Sequence, residues 1–272
     1  MKHILAFAGS NSRDSINKQL VTYASHLIEN IEVSILDLND FDLPIFSKHY
    51  EEEHGIPENA LKFLSYIKKS DGVIVSLAEN NGAYSAVFKN LFDWMSRAEA
   101  KLFFQKPMLL MATSTGARGG ESVLAMAKDR FPRHNAQIVA DFCFPFFDKN
   151  FSEGKIIDPE FDKELKEKVK QFKKQMDMDI KHEDNGESGK FFIEIDNKQE
   201  AEMTYEYIDQ YTINIDHTEV KEALKGQGIG SKLIEAAVKF MRKNNLKAVA
   251  TCSYAITILE KKKEEYKDVI QN

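Results

Sequence analysis

Cysteine is scarce in this chain. Its two copies among 272 residues, Cys143 and Cys252, lie far apart in segments of different pattern, which argues against a disulfide framework or a cysteine zinc cluster. No metal site is expected. Long hydrophobic runs are lacking too: nothing approaches the ~20 apolar residues of a membrane span. The run Ile4 to Ala8, behind one lysine, is too short for a secretory signal. These absences predict a cytoplasmic protein with no membrane partner. Charge of one sign is not gathered into blocks, and the net charge of −6 is modest, so a nucleic-acid partner is not expected. Internal repeats and low-complexity tracts are also missing.

What remains is an ordinary globular composition, 43% hydrophobic and 29% charged, in a chain long enough for two cores. From residue 1 to about 176, short apolar runs alternate with helical periodicity. Residues 4–8, 33–36, 73–77, 108–112 and 138–140 are five strand candidates, apolar on both faces as parallel strands under helices are. Ile16, Leu20, Tyr23, Ala24 and Leu27 form a helical stripe between them, as do Val87, Leu91, Trp94 and Met95, then Val123, Leu124 and Ala127. A last helix carries Phe161, Leu165, Val169, Phe172 and Met176. The order predicts an α/β, doubly wound parallel sheet for 1–176.

Residues 177–190 are polar and read as a linker and the start of the second domain. From 191 the apolar period becomes two: Ala201, Met203, Tyr205 and Tyr207, then Tyr211, Ile213 and Ile215, predict an antiparallel hairpin through Asp209 and Gln210. A helix with Leu233, Ile234, Ala237, Phe240 and Met241 and a strand over 247–251 complete a small α+β domain, 191–272.

Two loops, one in each half, look built to hold a phosphate where a strand ends and a helix begins. The first is Gly9-Ser10-Asn11-Ser12-Arg13-Asp14-Ser15-Ile16-Asn17, in which Gly9 permits a sharp turn and Ser10, Ser12, Arg13, Ser15 and Asn17 offer donors. It lacks both a Gly-x-Gly-x-x-Gly pattern and a lysine-bearing triphosphate loop, so it suits a terminal monophosphate. Residues 78–82 and 113–120 follow other strands at equivalent ends, where ligands of open sheets bind.

These residues resemble the NAD(P)H-dependent flavin reductase family. Its loop Gly-Ser-x-Arg-x-x-Ser-x-Asn is matched at Gly9, Ser10, Ser15 and Asn17, with Ser12 in the arginine position and Arg13 one later. Its second pattern is matched at Glu79, Asn81 and Gly82, then Lys89, Asn90, Asp93 and Trp94, and its third loop at Gly116, Gly119 and Gly120. The resemblance implies a flavodoxin-like fold, bound FMN, NAD(P)H as reductant, a small-molecule acceptor such as a quinone or azo compound, and a homodimer or homotetramer. It implies FMN contacts from Ser10, Ser12, Arg13, Ser15, Asn17, Glu79, Asn80, Asn81, Gly82, Thr115, Gly116, Ala117, Arg118 and Gly119. The alternative is a flavin-binding electron carrier.

The second loop, Lys225-Gly226-Gln227-Gly228-Ile229-Gly230, relies on glycines and bare backbone, which suits a pyrophosphate. With His217-Thr218-Glu219-Val220 and Cys252-Ser253-Tyr254-Ala255, residues 178–272 resemble small acetyltransferases of the Gcn5-related superfamily. Acetyl-CoA held by Val220 and residues 225–230, and an unidentified acetyl acceptor, are implied. His217 continues the phase of Ile213 and Ile215 and is expected to face inward as a base, with Glu219 on the same face as a second candidate. Cys252 either carries an acyl group or lines the thioester channel. The alternative is a CoA-binding or interaction module without turnover.

Overall fold

A computed structural model describes residues 2–195, 197–226 and 228–271. The chain divides into two compact units, residues 1–176 and 177–272.

In the first unit, β1 (His3–Gly9) is followed by α1 (Ile16–His26), β2 (Glu32–Leu36), α2 (Lys48–His54), α3 (Glu58–Lys69), β3 (Gly72–Asn80) and β4 (Ala83–Tyr84). Then come α4 (Ala86–Ala98), β5 (Pro107–Thr113), α5 (Glu121–Arg130), β6 (Gln137–Phe144), α6 (Phe147–Asn150), β7 (Phe151–Ser152), β8 (Lys155–Ile156) and α7 (Pro159–Met176). The main sheet runs β2-β1-β3-β5-β6, all parallel, with β4 folded back on the end of β3. This is the five-stranded, doubly wound sheet the apolar runs predict. Alternate residues of each central strand serve opposite cores. Leu5, Phe7, Val73 and Val75 pack with Phe63 of α3, Phe88 of α4 and Val123 of α5. Ile4, Ala6, Ile74 and Leu109 pack with Leu20 of α1 and with Leu165 and Phe172 of α7. Strand order reverses beside β1, so the loops after β1 and β3 flank a crevice.

Apolar periodicity does not mark α2, because that helix buries none of its residues. Strand β6 continues past Ala140 to Phe144 with polar Asp141 in its middle, as suits the edge of the sheet.

In the second unit, β9 (Ile180–Asp184), β10 (Ser188–Ile195), β11 (Lys198–Asp209) and β12 (Thr212–Val220) are antiparallel. Helix α8 (Ile229–Asn244) leads to β13 (Lys247–Ala250), parallel to β12, then α9 (Ser253–Lys261) and α10 (Lys263–Tyr266). Within 177–190, little is left as linker and most of it belongs to the second unit. Residues 180–184 form the edge strand and β10 starts at Ser188. Its polarity is that of an edge: Lys181 and Glu183 are exposed, while Ile180 opposes Ile193 and His182 stacks on Phe191.

Between β11 and β12 the register slips. Thr204 opposes His217 but Tyr205 opposes Ile215, which leaves Asp216 as an extra residue, its carboxylate accepting from the Thr204 hydroxyl at 2.5 Å. Such a bulge exchanges the faces on which the following side chains emerge. Among the described residues no helix is long and apolar enough to cross a membrane.

Candidate functional site

The register sets Ala8 beside Ser76, Gly9 beside Leu77 and Ala78 beside Thr113, so the loops after β1, β3 and β5 leave the sheet side by side. Ser15 caps α1, its hydroxyl accepting from the Lys18 N–H at 3.2 Å, and the buried Ser10 hydroxyl accepts from the Ser12 N–H at 3.2 Å. The dipole of α1 thereby faces a turn of buried serine hydroxyls with Ser12 and Arg13 exposed on its rim. Across the crevice, Asn81 and Gly82 are the left-handed pair of the tight β3–β4 turn, and Thr115, Gly116, Ala117 and Arg118 are exposed.

Several expected ligand residues also make bonds within the protein. Asn17 is buried: its Oδ1 accepts from the Ser76 hydroxyl at 2.7 Å and from the Thr113 N–H at 3.2 Å, and its Nδ2 donates to the Thr113 carbonyl at 3.3 Å. Glu79 accepts from the Val123 N–H at 3.0 Å, capping the start of α5, while Asn80 is exposed at the end of β3. Arg118 donates to Ser122 Oγ at 2.9 Å and pairs with Glu121 at 3.4 Å, folding back on its own loop. Gly9 is there for packing and not for a positive φ: a Cβ would lie 2.9 Å from Leu77 Cδ2. Gly119 needs both, with φ of +58° and a Cβ position 2.7 Å from the Pro145 nitrogen. The Cys143 thiol donates to the Arg118 carbonyl at 3.2 Å, bracing that loop, and burial pushes its pKa up to about 11.

One wall escapes the sequence patterns. Asn11 borders an open pocket of about 400 Å³ with Leu38, Phe41, Leu43, Val87 and Asn90. The segment after β2 is fixed there by α4: Asn90 Nδ2 and the Trp94 indole N–H both donate to the Pro44 carbonyl, at 3.0 and 2.8 Å, and Asn90 Oδ1 accepts from the Phe46 N–H. The one usable signal is Leu43-Pro44-Ile45-Phe46, an apolar stretch around a proline, with Ile45 86% exposed.

In the second unit, α8 begins at Gly228 in the left-handed conformation, φ +70°, with open space where a Cβ would stand. Gly226 and Lys225 precede it on the surface, and Lys225 pairs with Glu222 at 2.6 Å. Gln227 lies outside the described residues. Ile229 is buried, and the Tyr254 ring sits so close to Gly230 that a Cβ would meet it at 2.6 Å. Cys252 caps the start of α9, its thiol 3.5 Å from Thr218 Oγ1. Val220 ends β12 opposite Ala201.

The expectation that His217 faces inward is overturned by the bulge at Asp216. Thr218 opposes buried Met203 and so takes the core side, whereas His217 and Glu219 oppose Thr204 and Glu202, their side chains 56% and 62% exposed. Cys252 is thus beside Thr218, and His217 and Glu219 emerge from the other face of β12. Thr218 is the partner that alternation alone could not supply.

Residues 2–150, more than half of the chain, match the family described as NADPH-dependent FMN reductase. The chain belongs to this family. Residues 190–269 match the GCN5-related N-acetyl-transferase family, so the two folds are fused in one chain. The FMN reductase part is similar to the NADH:(hydroxy)cinnamate reductase subunit CrdA of Vibrio ruber, 30% identical over 123 residues, 44% of this chain and 58% of that protein. The second part is similar to Protein NATD1 of Xenopus tropicalis, 43% identical over 54 residues, 20% of this chain and 50% of that protein. The chain spans about half the length of these curated relatives. In fold, it is similar to FerB, a flavoenzyme NAD(P)H:(acceptor) oxidoreductase from Paracoccus denitrificans. The TM-score is 0.54 at 24% identity, covering 63% of this chain and 95% of that one.

Proposed function

We propose that the first unit is an FMN-dependent NAD(P)H oxidoreductase that reduces a small-molecule acceptor of the quinone or azo class. The observation that carries the reading is the convergence of three loops at the carboxyl ends of β1, β3 and β5, in front of the capped start of α1. The donor set fits a flavin mononucleotide. Ser10, Ser12, Arg13 and Ser15 surround the position suited to a monophosphate, and Asn81, Gly82 and residues 115–119 offer backbone and side-chain donors to a ring. Asn17 and Glu79 act one step back, by holding these loops in register. Bound FMN would supply the hydride chemistry; the chain's own contribution is to orient it and leave one face open to reductant and acceptor. The test is purification and reconstitution with FMN, followed by NADH or NADPH consumption with a soluble quinone. Protein that takes up no FMN overturns the reading.

For the second unit the reading is an acetyl-CoA-dependent N-acetyltransferase. Its support is the glycine-bounded start of α8, with Gly226 and Gly228 in left-handed conformations and open space before them, and with Tyr254 of α9, two residues after Cys252, packed against Gly230. Backbone N–H groups of Gly226 and of residues 228–230 would take the pyrophosphate, and Cys252 would line the thioester path. His217 and Glu219, on the other face, would serve as bases only for an amine arriving from that side. Titration with acetyl-CoA, and release of free thiol in the presence of an amine panel, test it. Loss of rate with retained binding in Cys252→Ala or His217→Ala supports catalysis, and absence of acetyl-CoA binding overturns it. Self-association into dimers or tetramers is part of the proposal, checked by sedimentation velocity.

A further inference from the structure

The bulge at Asp216 does more than move His217 away from the core. It delivers the imidazole to a face where two carboxylates already confront one another. Glu202 and Glu219 are directly opposed across β11 and β12, an arrangement in which like charges repel. The donor atoms of Glu202, His217 and Glu219 all lie within 4.8 Å of one another. His217 Nε2 stands 4.0 Å from the Glu219 carboxylate, too far for a hydrogen bond. Two lysines of the same face have other acids: Lys190 pairs with Glu183 at 3.2 Å, and Lys181 with Glu194. Gln199 Nε2 donates to Glu202 Oε2 at 2.7 Å, orienting that carboxylate as an outer partner orients a metal ligand.

We propose that Glu202, His217 and Glu219 form a three-ligand site for a borderline divalent cation, Zn(II) foremost. Zinc bonds of about 2.0–2.2 Å place tetrahedral donors roughly 3.4 Å apart, so closure needs a movement of about an ångström in side chains of which His217 and Glu219 are exposed and Glu202 is half-buried. Rotamer changes suffice and the sheet need not shift. The imidazole disfavours Mg(II) and Ca(II), which take oxygen donors, and the lack of a thiolate and of a fourth protein ligand leaves positions for water. The ion would relieve the opposed carboxylates and hold His217 and Glu219, withdrawing both from any role as bases. Cation binding here does not depend on the acetyltransferase reading, which the acetyl-CoA titration tests separately.

The experiment uses the full chain without an affinity tag, stripped with chelator and titrated with Zn(II) by calorimetry and with Co(II) by visible absorption. The expected result is one ion per chain at micromolar affinity, weakened roughly tenfold or more in His217→Ala and in Glu202→Gln. The Co(II) spectrum should lack a thiolate charge-transfer band. Glu202 and His217 lie on different strands, and circular dichroism of both variants verifies that they fold. His49→Ala/His54→Ala, which removes the histidines near Glu52 and Glu53 of α2, should change nothing. Unchanged affinity in His217→Ala, loss of binding in Cys252→Ala or in the α2 variant, or no saturable binding below millimolar concentration would each overturn the site.

Discussion

Asn17 and Thr113 are joined twice: the Asn17 carboxamide accepts from the Thr113 N–H and donates to the Thr113 carbonyl, at 3.2 and 3.3 Å. A side chain at the start of α1 thus completes the hydrogen bonding of the last residue of β5. The third bond, from Ser76 on β3, ties one carboxamide to both strands whose loops face the phosphate turn.

Replacing Asn17 with Ala should therefore cost stability in the first unit. Buried donors on Ser76 and Thr113 lose their acceptor, a loss of about 1–3 kcal/mol. Trp94 is the chain's one tryptophan and lies in this unit, so its fluorescence during urea unfolding reads the change. FMN affinity should fall as well, although Asn17 is buried behind the loops. Unchanged affinity would mean that the loops keep register without it.

Gly119→Ala should be worse for flavin uptake than for the rest of the fold. The residue is left-handed, which costs roughly 1–2 kcal/mol for alanine. The added Cβ would lie 2.7 Å from the Pro145 nitrogen and 2.8 Å from the Phe144 carbonyl carbon, backbone that cannot swing aside. Flavin titration of the variant, compared with Gly116→Ala, where only Ser114 Oγ lies within 4 Å, separates loop distortion from contact with the ligand.

Asn90 and Trp94 share one acceptor, the Pro44 carbonyl. Asn90→Ala, which also strips the Phe46 N–H of its acceptor, and Trp94→Phe should each cost about 1 kcal/mol, and the double variant, which alone removes both donors from the Pro44 carbonyl, should cost more than the sum. Circular dichroism in urea measures all three, since Trp94→Phe removes the fluorescent reporter. Strict additivity would show that Asn90, through its bonds to Pro44 and Phe46, and Trp94, through its bond to Pro44, hold the 44–46 segment independently.

The second unit should weaken as pH falls. His182 is exposed on the edge strand, but its ring lies against Phe191 and Phe240, and this partial desolvation holds it below its ordinary 6.5, with Asp184 offsetting part of the effect. The folded form resists a proton that the unfolded chain accepts, so this contribution is complete above about pH 6.5 and declines as pH drops toward the folded value. Burial also opposes ionisation of Asp184, but bonds from the Gly186 N–H and the hydroxyls of Tyr205 and Tyr207 outweigh it, and its carboxyl sits below 3.8. Its share is lost only in stronger acid. Calorimetry between pH 7.5 and 5.5 should show the second unit's transition moving down, and His182→Gln should flatten that dependence.

Strands such as Ile4 to Ala8 were legible because parallel strands covered on both faces need no alternation, and α7 because its apolar stripe repeats at three and four. The converging loops were legible from the positions of strand ends. Alternation failed at Asp216, because a period of two carries no mark of an inserted residue until the partner strand is known. The polar edge strand 180–184 failed because it makes its backbone bonds on one side only and presents charged side chains to water. The duties of Asn17, Glu79 and Asn90 were hidden for a related reason: each bonds backbone at least 44 residues away.

The extra residue in β12 gives this strand an unusual response to changes in length. Deleting Asp216 would leave the sequence His217-Thr218-Glu219-Val220 intact yet turn it over, sending the imidazole and one carboxylate toward Cys252 and Thr218 toward water. In most strands a single-codon deletion only damages. Here it would trade the chemistry of one side of a sheet for that of the other, so the chain is one indel from a different arrangement of the same four residues.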